Sequence, residues 1–204
     1  MIDILAKFKE VQDRKAKIKG AEYYQRRELK FREWDVLTRV CFLLNRAGIP
    51  HPKYATENEC PDFETFENGG TPSWPVEITE VLRPDYRRGD FWKSDTFRNG
   101  PINFEPEPLE DIWRPLRGAI TSKSTCKYPK GTSLFVYFDI SLGSFSNWGT
   151  PFEEQLLQEH SIKPFGDITA FGSVYVLSSD MNKLVQLHPQ ARTIIGTMGQ
   201  EAET

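Results

Sequence analysis

The sequence predicts an α/β protein in which a mixed central sheet carries helices on both faces. The predicted elements follow the order helix, helix, strand, strand, helix, strand, helix, strand, strand, and this order is typical of a sheet covered on both sides. With 38% hydrophobic and 27% charged residues over 204 positions, the chain is globular and long enough to bury a core. We expect a basic helical arm at 1–20, one domain at 21–192 and a flexible tail at 193–204.

Two helices are predicted before the first strand. Residues 2–19 form an amphipathic pattern that ends at Gly20, and residues 21–47 form a longer one that ends at Gly48 and Pro50, which are typical helix-stop signals. Apolar residues of the longer helix recur at helical spacing, so we expect a buried stripe that contains Trp34, Leu37, Cys41 and Leu44.

The first 32 residues are basic, with ten Lys and Arg against five acids, although the whole chain has a net charge of −3. A basic segment on an acidic body suits contact with nucleic acid phosphates. A solvated helix has the same composition, so the charge pattern leaves both interpretations open.

The remaining elements are predicted from alternation, turn residues and helix caps. They are strands at 60–67 and 75–82 joined by ENGGTPSW, a helix from Pro115 to about Lys127, a strand from Thr132 to Ile140, a helix opened by Thr150, Pro151 and Glu153, and a hairpin from Ser173 to Leu187.

The segment from Arg83 to Glu110 has no clear period and contains four prolines, and loops of this length inside domains are often functional. Aromatic residues of this loop would stack on unpaired bases. We predict that its basic residues bind nucleic acid phosphates, namely Arg87, Arg88, Lys93 and Arg98.

Two acids mark the first pair of predicted strands. Asp62 lies near the start of one strand, and Glu77 lies in the next, where it shares a face with Thr79 because side chains alternate along a strand. If the strands pair as a hairpin, Asp62 and Glu77 meet, and converging carboxylates are ligands that Mg²⁺ prefers. The structural alternatives are a turn role for Asp62 and a cross-strand ion pair for Glu77.

Charged residues also fall on the predicted core-facing sides of two helices. At about 100° per residue, Glu33 lies within the apolar stripe of the long helix, whereas Glu28 lies roughly opposite, in solvent. A buried acid needs a cation or a metal as a partner. In the helix after Pro115, Lys123 and Lys127 fall on the apolar side. They either extend past the apolar layer to its edge or supply a cation to the carboxylates.

Together these residues resemble the PD-(D/E)XK nuclease superfamily, which has the restriction-endonuclease-like fold. Bacterial members of unknown function with a PDF … EVTEV … KY pattern are similar to this chain. The likeness covers roughly residues 21–180 and rests on Glu33, Pro61-Asp62, Glu77-Ile78-Thr79, the IxxKxxxKY helix and the LFVYFDI strand.

The resemblance implies an endonuclease that hydrolyses DNA phosphodiester bonds. It implies that Asp62 and Glu77 bind Mg²⁺, with Mn²⁺ as a substitute, that the Ile78 carbonyl lies near the ion, and that Glu33 is an accessory acid. The superfamily's lysine orients or deprotonates water and balances developing charge.

Thr79 stands where that lysine is usual, two residues after Glu77, and a hydroxyl cannot supply a positive charge. Some members of the superfamily take the lysine from a neighbouring helix. By that resemblance Lys123 is the first candidate for the role and Lys127 the second. We also predict that Lys127 binds nucleic acid.

Three functions are therefore open. One is a Mg²⁺-dependent nuclease that acts on DNA rather than RNA. Another is a degenerate nuclease fold that binds nucleic acid or protein without cutting, which Thr79 favours. The third is an unrelated α/β protein whose N-terminal helices pair with a second copy or another partner through Trp34 and the Tyr23-Tyr24 pair.

The composition indicates a cytoplasmic protein. No apolar run reaches the length of a membrane span, and the N-terminal segment lacks the apolar core of a signal peptide. The three cysteines lie far apart without metal-ligand spacing, and we predict that Cys41, Cys60 and Cys126 are reduced core residues.

Overall fold

The computed structural model describes residues 1–18, 28–81, 113–138, 151–178 and 181–194. Within these ranges the chain forms four α-helices and eight strands. The helices are α1 (Ile4–Lys15), α2 (Leu29–Arg46), α3 (Trp113–Ser124) and α4 (Phe152–Ile162). The strands are β1 (Ile2–Asp3), β2 (Tyr54–Glu57), β3 (Phe63–Phe66), β4 (Val76–Val81), β5 (Ser133–Phe138), β6 (Ser173–Leu177), β7 (Leu184–His188) and β8 (Arg192–Ile194).

All eight described strands belong to one mixed sheet whose strand order follows the chain from β1 to β8. The pairs β4–β5 and β5–β6 are parallel, and every other neighbouring pair is antiparallel. Parallel neighbours need a crossover connection, and the connections of the two parallel pairs contain α3 and α4. The predicted mixed sheet is therefore confirmed.

Helices cover both faces of the sheet, as predicted. Along β4, Val76 and Ile78 belong to the core layer formed with α1 and α2. Val81 belongs to the layer formed with α3 and α4. The site residues of β4 can therefore be assigned to a layer by their position along the strand, because successive side chains point to opposite faces.

The N-terminal helix is an integral part of the first core layer. Ile4 and Val11 of α1 are buried, and the Phe8 ring stacks on Phe42 of α2 at 4.5 Å between centroids. The preceding residues Ile2 and Asp3 pair with β2. The predicted arm at 1–20 is thus packed on the domain over its described part.

Several predicted elements differ in extent from the observed ones. β1 and β2 were not predicted, because strands of two and four residues carry too few side chains to show alternation. α3 ends at Ser124, short of the predicted Lys127. α4 starts at Phe152 with Pro151 in the capping position, and Thr150 lies outside the described residues. β8 includes Thr193 and the buried Ile194, so ordered structure extends into the predicted tail.

The burial of single residues corrects two further predictions. All three cysteines are free, but Cys41 alone is buried, while Cys60 and Cys126 are exposed. Trp34 is buried and its indole N–H donates to Glu57 at 2.6 Å, so it is not an exposed interface anchor. Tyr23 and Tyr24 lie outside the described residues. No helix in the described part of the chain is both long and apolar enough to span a membrane.

Candidate functional site

The start of β3 and the start of β4 bring the two predicted acids together. The strands pair antiparallel at Phe63 and Val76, and one step further in the same register Asp62 lies opposite Glu77. The Ile78 backbone N–H donates to Asp62 Oδ2 at 2.8 Å. The antiparallel pairing that the hairpin interpretation requires is therefore present, with one pair of residues in the described strands.

A lysine from α3 contacts one of these two acids. Lys123 Nζ donates to Glu77 Oε1 and forms an ion pair with it. Leu116 and Ile120 of the same helix are buried, so they hold α3 against the sheet with Lys123 one turn further on. The helical periodicity predicted this orientation for Lys123 correctly.

Lys127 is not part of this arrangement. It lies beyond the end of α3 and its side chain is exposed. The prediction that Lys127 lies on the apolar side of the helix is wrong, because it assumed that the helix continues for a further turn.

Glu33 of α2 is buried, as its place in the apolar stripe predicted. Its Oε2 lies 2.8 Å from Lys30 Nζ, and Lys30 Nζ lies 3.9 Å from Asp62 Oδ1. The prediction for Glu28 is wrong, because its side chain is only 15% exposed and pairs with Arg14 of α1 at 2.6 Å.

The negative charges of Glu77 and Glu33 act on the pKa of Asp62. Burial, the charge of Glu77 and the more distant charge of Glu33 raise the pKa of Asp62 to about 7, although the Ile78 N–H and Lys30 act in the opposite direction. Burial alone would lower the pKa of Lys123, but its hydrogen bond to Glu77 and the charges of Glu77 and Asp62 outweigh burial and raise it. Lys123 is therefore a cation at neutral pH, beside an Asp62 that holds a proton for part of the time.

Two nearby residues were not assigned a role from the sequence. Tyr128, which appears only as the last letter of the IxxKxxxKY pattern, is half-buried beside Phe171. Burial, the charge of Glu77 and hydrogen bonds to Cys126 and Glu77 raise the pKa of the Tyr128 hydroxyl. Lys30 was counted among the basic residues of the first 32 positions, and its spacing of three residues from Glu33 was the signal that could have paired them.

Other predicted residues lie elsewhere or outside the described ranges. Thr79 shares the face of Glu77 on β4 and is half-buried. The phosphate-binding candidates Arg87, Arg88, Lys93 and Arg98 lie outside the described residues. Their role stays a prediction.

Carboxylate oxygens are the candidate ligands for a hard cation at this site. Within the described ranges, no group of three or more His, Cys, Asp or Glu side chains is arranged to hold a metal ion. The ligand set Asp62, Glu77 and the Ile78 carbonyl stays a prediction. Asp62 accepts from the Ile78 N–H through Oδ2, and Glu77 accepts from Lys123 through Oε1 and is also hydrogen-bonded by Tyr128. Burial first, and the charge of Glu77 second, raise the pKa of Asp62, so its protonated form is favoured in the folded chain.

No protein-family model, no curated protein and no solved structure matches this chain. Its function is therefore inferred from the residues and geometry described above.

Proposed function

We propose that the protein is a Mg²⁺-dependent endonuclease that hydrolyses DNA phosphodiester bonds. The observation that carries the proposal is the meeting of Asp62 and Glu77 with Lys123 from α3. Two strand carboxylates beside a helix-borne ammonium supply both the oxygen ligands and the positive charge that such hydrolysis needs.

Asp62 and Glu77 would hold the ion, with Mn²⁺ as a substitute for Mg²⁺ and the Ile78 carbonyl as a further oxygen ligand. A bound ion would supply Lewis-acid polarisation of the phosphate and of its attacking water. Lys123 takes the role that Thr79 cannot fill, because its ammonium lies next to Glu77 and stabilises negative charge that develops on the phosphate. Glu33 acts as the accessory acid on the α2 side.

The remaining features of the proposal rest on the resemblance and on charge. The mixed sheet with helices on both faces is the coarse architecture of the restriction-endonuclease-like fold, to which we assign the chain within the PD-(D/E)XK superfamily. We propose DNA rather than RNA as the substrate and a cytoplasmic location. Assembly as a homodimer stays a prediction.

A cleavage assay tests the proposal directly. Plasmid, single-stranded DNA and RNA are incubated with wild-type protein in Mg²⁺ or Mn²⁺, beside Asp62→Asn, Glu77→Gln and Lys123→Met. Each substitution is expected to lower the rate by about 100-fold or more, the range found when a positioned acid, base or charge is removed. Lys130→Met is the matched control, since Lys130 is exposed and beyond the end of α3, and it should cut at close to the wild-type rate.

The results separate the assignments. Cleavage that survives in Lys123→Met would overturn the lysine assignment, and cleavage that survives in Asp62→Asn and Glu77→Gln would overturn the whole site. If the wild type cuts none of the substrates in either metal, the endonuclease proposal is wrong.

The alternative function is a degenerate nuclease fold that binds nucleic acid or protein without cutting it. Thr79 at the usual lysine position favours it. A wild type that binds DNA with measurable affinity yet shows no cleavage with either ion would support this alternative over the enzyme.

A further inference from the structure

Lys30 is a second cation beside the acids, and it approaches from the opposite face of the sheet to Lys123. It lies in the first turn of α2, whose neighbouring residues Phe31 and Trp34 belong to the core layer with α1. Lys123 lies on α3, which packs on the other layer. The ammonium groups of Lys30 and Lys123 therefore approach the acids from two helices on opposite faces of the sheet.

The contacts of Lys30 leave its ammonium accessible at the rim of the site. Nζ lies 2.8 Å from Glu33 Oε2 and 3.3 Å from the Asn58 carbonyl oxygen, while Asp62 Oδ1 at 3.9 Å is beyond hydrogen-bond distance. The side chain is 46% exposed, whereas that of Lys123 is 29% exposed. A lysine ammonium has three N–H donors. Glu33 and the Asn58 carbonyl face two of them and the centroid of the Phe63 ring lies 6.0 Å from Nζ, so one donor is left for an acceptor that arrives from solvent.

We propose that Lys30 binds a backbone phosphate of the nucleic acid strand on the α2 side of the site, next to the phosphate that is cut. The inference rests on the proposed function for the choice of ligand. A phosphate oxygen would take the third donor without breaking the pair with Glu33, so the strand would be held between a charge from α2 and a charge from α3. Phosphate contacts of this kind fix the register of a strand without reading its sequence.

A structural role for Lys30 is the competing explanation. An exposed lysine three residues before a glutamate on one helix is a common ion pair, worth a few tenths of a kcal/mol. Such a pair would influence thermal stability, but it would not change how DNA affinity depends on salt. The salt dependence therefore distinguishes the two roles.

The test measures the affinity for a labelled single-stranded DNA oligonucleotide by fluorescence anisotropy, at fixed Ca²⁺ and over a series of NaCl concentrations. Lys30→Met is expected to weaken binding and to reduce the slope of log K against log salt by about 0.7, the contribution of one phosphate contact on a single strand. Lys30→Arg should retain the slope. Lys183→Met is the matched control, because Lys183 is 42% exposed and pairs with one glutamate, Glu153, at 3.0 Å.

A double variant serves as the control for a loss of folding. Lys30→Met leaves the buried Glu33 without its lysine, so Lys30→Met/Glu33→Gln is measured beside it, and both melting temperatures are recorded. A reduced slope in both variants supports the phosphate contact. A slope equal to the wild-type value in a folded double variant overturns it.

The outcomes also separate this inference from the proposed function. If the wild type cuts DNA and Lys30→Met leaves both slope and KM unchanged, the phosphate contact is wrong and the endonuclease stands. If the slope depends on Lys30 but nothing is cut, the contact stands and the endonuclease fails. If the wild type neither binds nor cuts, both are overturned.

Discussion

Asp62 is held in an environment that costs free energy when no cation is bound. Its pKa in the folded chain is raised to about 7 by burial and by the charge of Glu77, whereas an exposed aspartate has a pKa of about 3.9. The folded state therefore binds a proton more tightly than the unfolded state. As the pH rises from about 4 to about 7, the unfolded state loses this proton first, and the free energy of unfolding falls by up to about 1.4 kcal/mol for each pH unit.

Asp62→Asn should remove this pH dependence. In EDTA, the free energy of unfolding of the variant is expected to stay flatter between pH 4 and 8 than that of the wild type, and the variant should be the more stable protein at pH 8. Urea denaturation at a series of pH values measures this. Glu64→Gln, an exposed acid in β3, is the control and should follow the wild-type curve.

For single residues, the sequence was most informative where the helical period determines which way a side chain points. The burial of Glu33 and the inward position of Lys123 follow from helical spacing, because about 3.6 residues per turn leave little freedom once the apolar stripe is known. The position of Glu28 could not be predicted in this way. Its partner, Arg14, lies on α1. The hydrophobic pattern of a single helix does not show how that helix packs against another one.

At the scale of elements, the cation beside the acids comes from a helix although Thr79 occupies the strand position. Glu77 and Thr79 share one face of β4, and Thr79 is half-buried. A lysine introduced at 79 would therefore extend from the same face of the strand that carries the Glu77 carboxylate. Position 79 on β4 and position 123 on α3 are thus two places from which a lysine side chain can extend toward Glu77.

We expect Thr79→Lys to restore part of the activity that Lys123→Met removes. In the double variant the cleavage rate should recover at least about tenfold over Lys123→Met alone, a small part of the loss expected when the positioned charge is removed. The steady-state rate on single-stranded DNA is the measurement, and Glu64→Lys in the same background is the control for a nonspecific gain of positive charge. Equal recovery by both variants would mean that net charge, not position, explains it.

The docking of α1 gives a prediction about folding. Lys15 and Gln12 of α1 hydrogen-bond the buried Asp35 of α2 at 2.6 and 3.0 Å, and Ile4 and Val11 are buried. Burial of one such aliphatic side chain contributes about 1.5–3 kcal/mol. Removal of residues 1–18 should thus lower the free energy of unfolding by more than about 3 kcal/mol, or prevent folding.

Chemical denaturation of the truncated chain measures that change. The control is Lys9→Gln/Lys17→Gln, which removes two charges from exposed positions and leaves the buried contacts in place. If the truncated chain keeps wild-type stability and loses only DNA affinity, the N-terminal helix acts as a phosphate-binding arm. The prediction that it contributes to the stability of the core is then wrong.

For the whole molecule, the order and type of the main elements followed from the sequence, and with them the mixed sheet covered on both faces. β5 was predicted because six consecutive residues, Ser133 to Phe138, are buried between two helix layers and need an apolar, β-branched and aromatic composition. β1, β2 and β8 lie in the outer parts of the sheet, where short strands depend on long-range pairing. Local sequence alone carries little information about such pairing.

The stability of the whole chain should report occupancy of the site independently of catalysis. A ligand that binds only the folded state stabilises it by mass action, by about 2.7 kcal/mol at a concentration about 100-fold above Kd. Mg²⁺ or Ca²⁺ is therefore expected to raise the melting temperature of the wild type relative to EDTA. The rise should be larger at pH 8 than at pH 5.5, because the proton on Asp62 competes with the ion.

Asp62→Asn should lose this stabilisation while Glu64→Gln keeps it. The same substitution that stabilises the chain at pH 8 in EDTA would then abolish its response to metal, since both effects come from one carboxylate held beside Glu77. A wild type whose melting temperature is identical in EDTA and in millimolar Mg²⁺ would instead show that no ion binds beside Asp62 and Glu77, and that Lys30 and Lys123 are the cations of the cluster. The acids would then be a structural ion cluster, and the degenerate fold would become the better account.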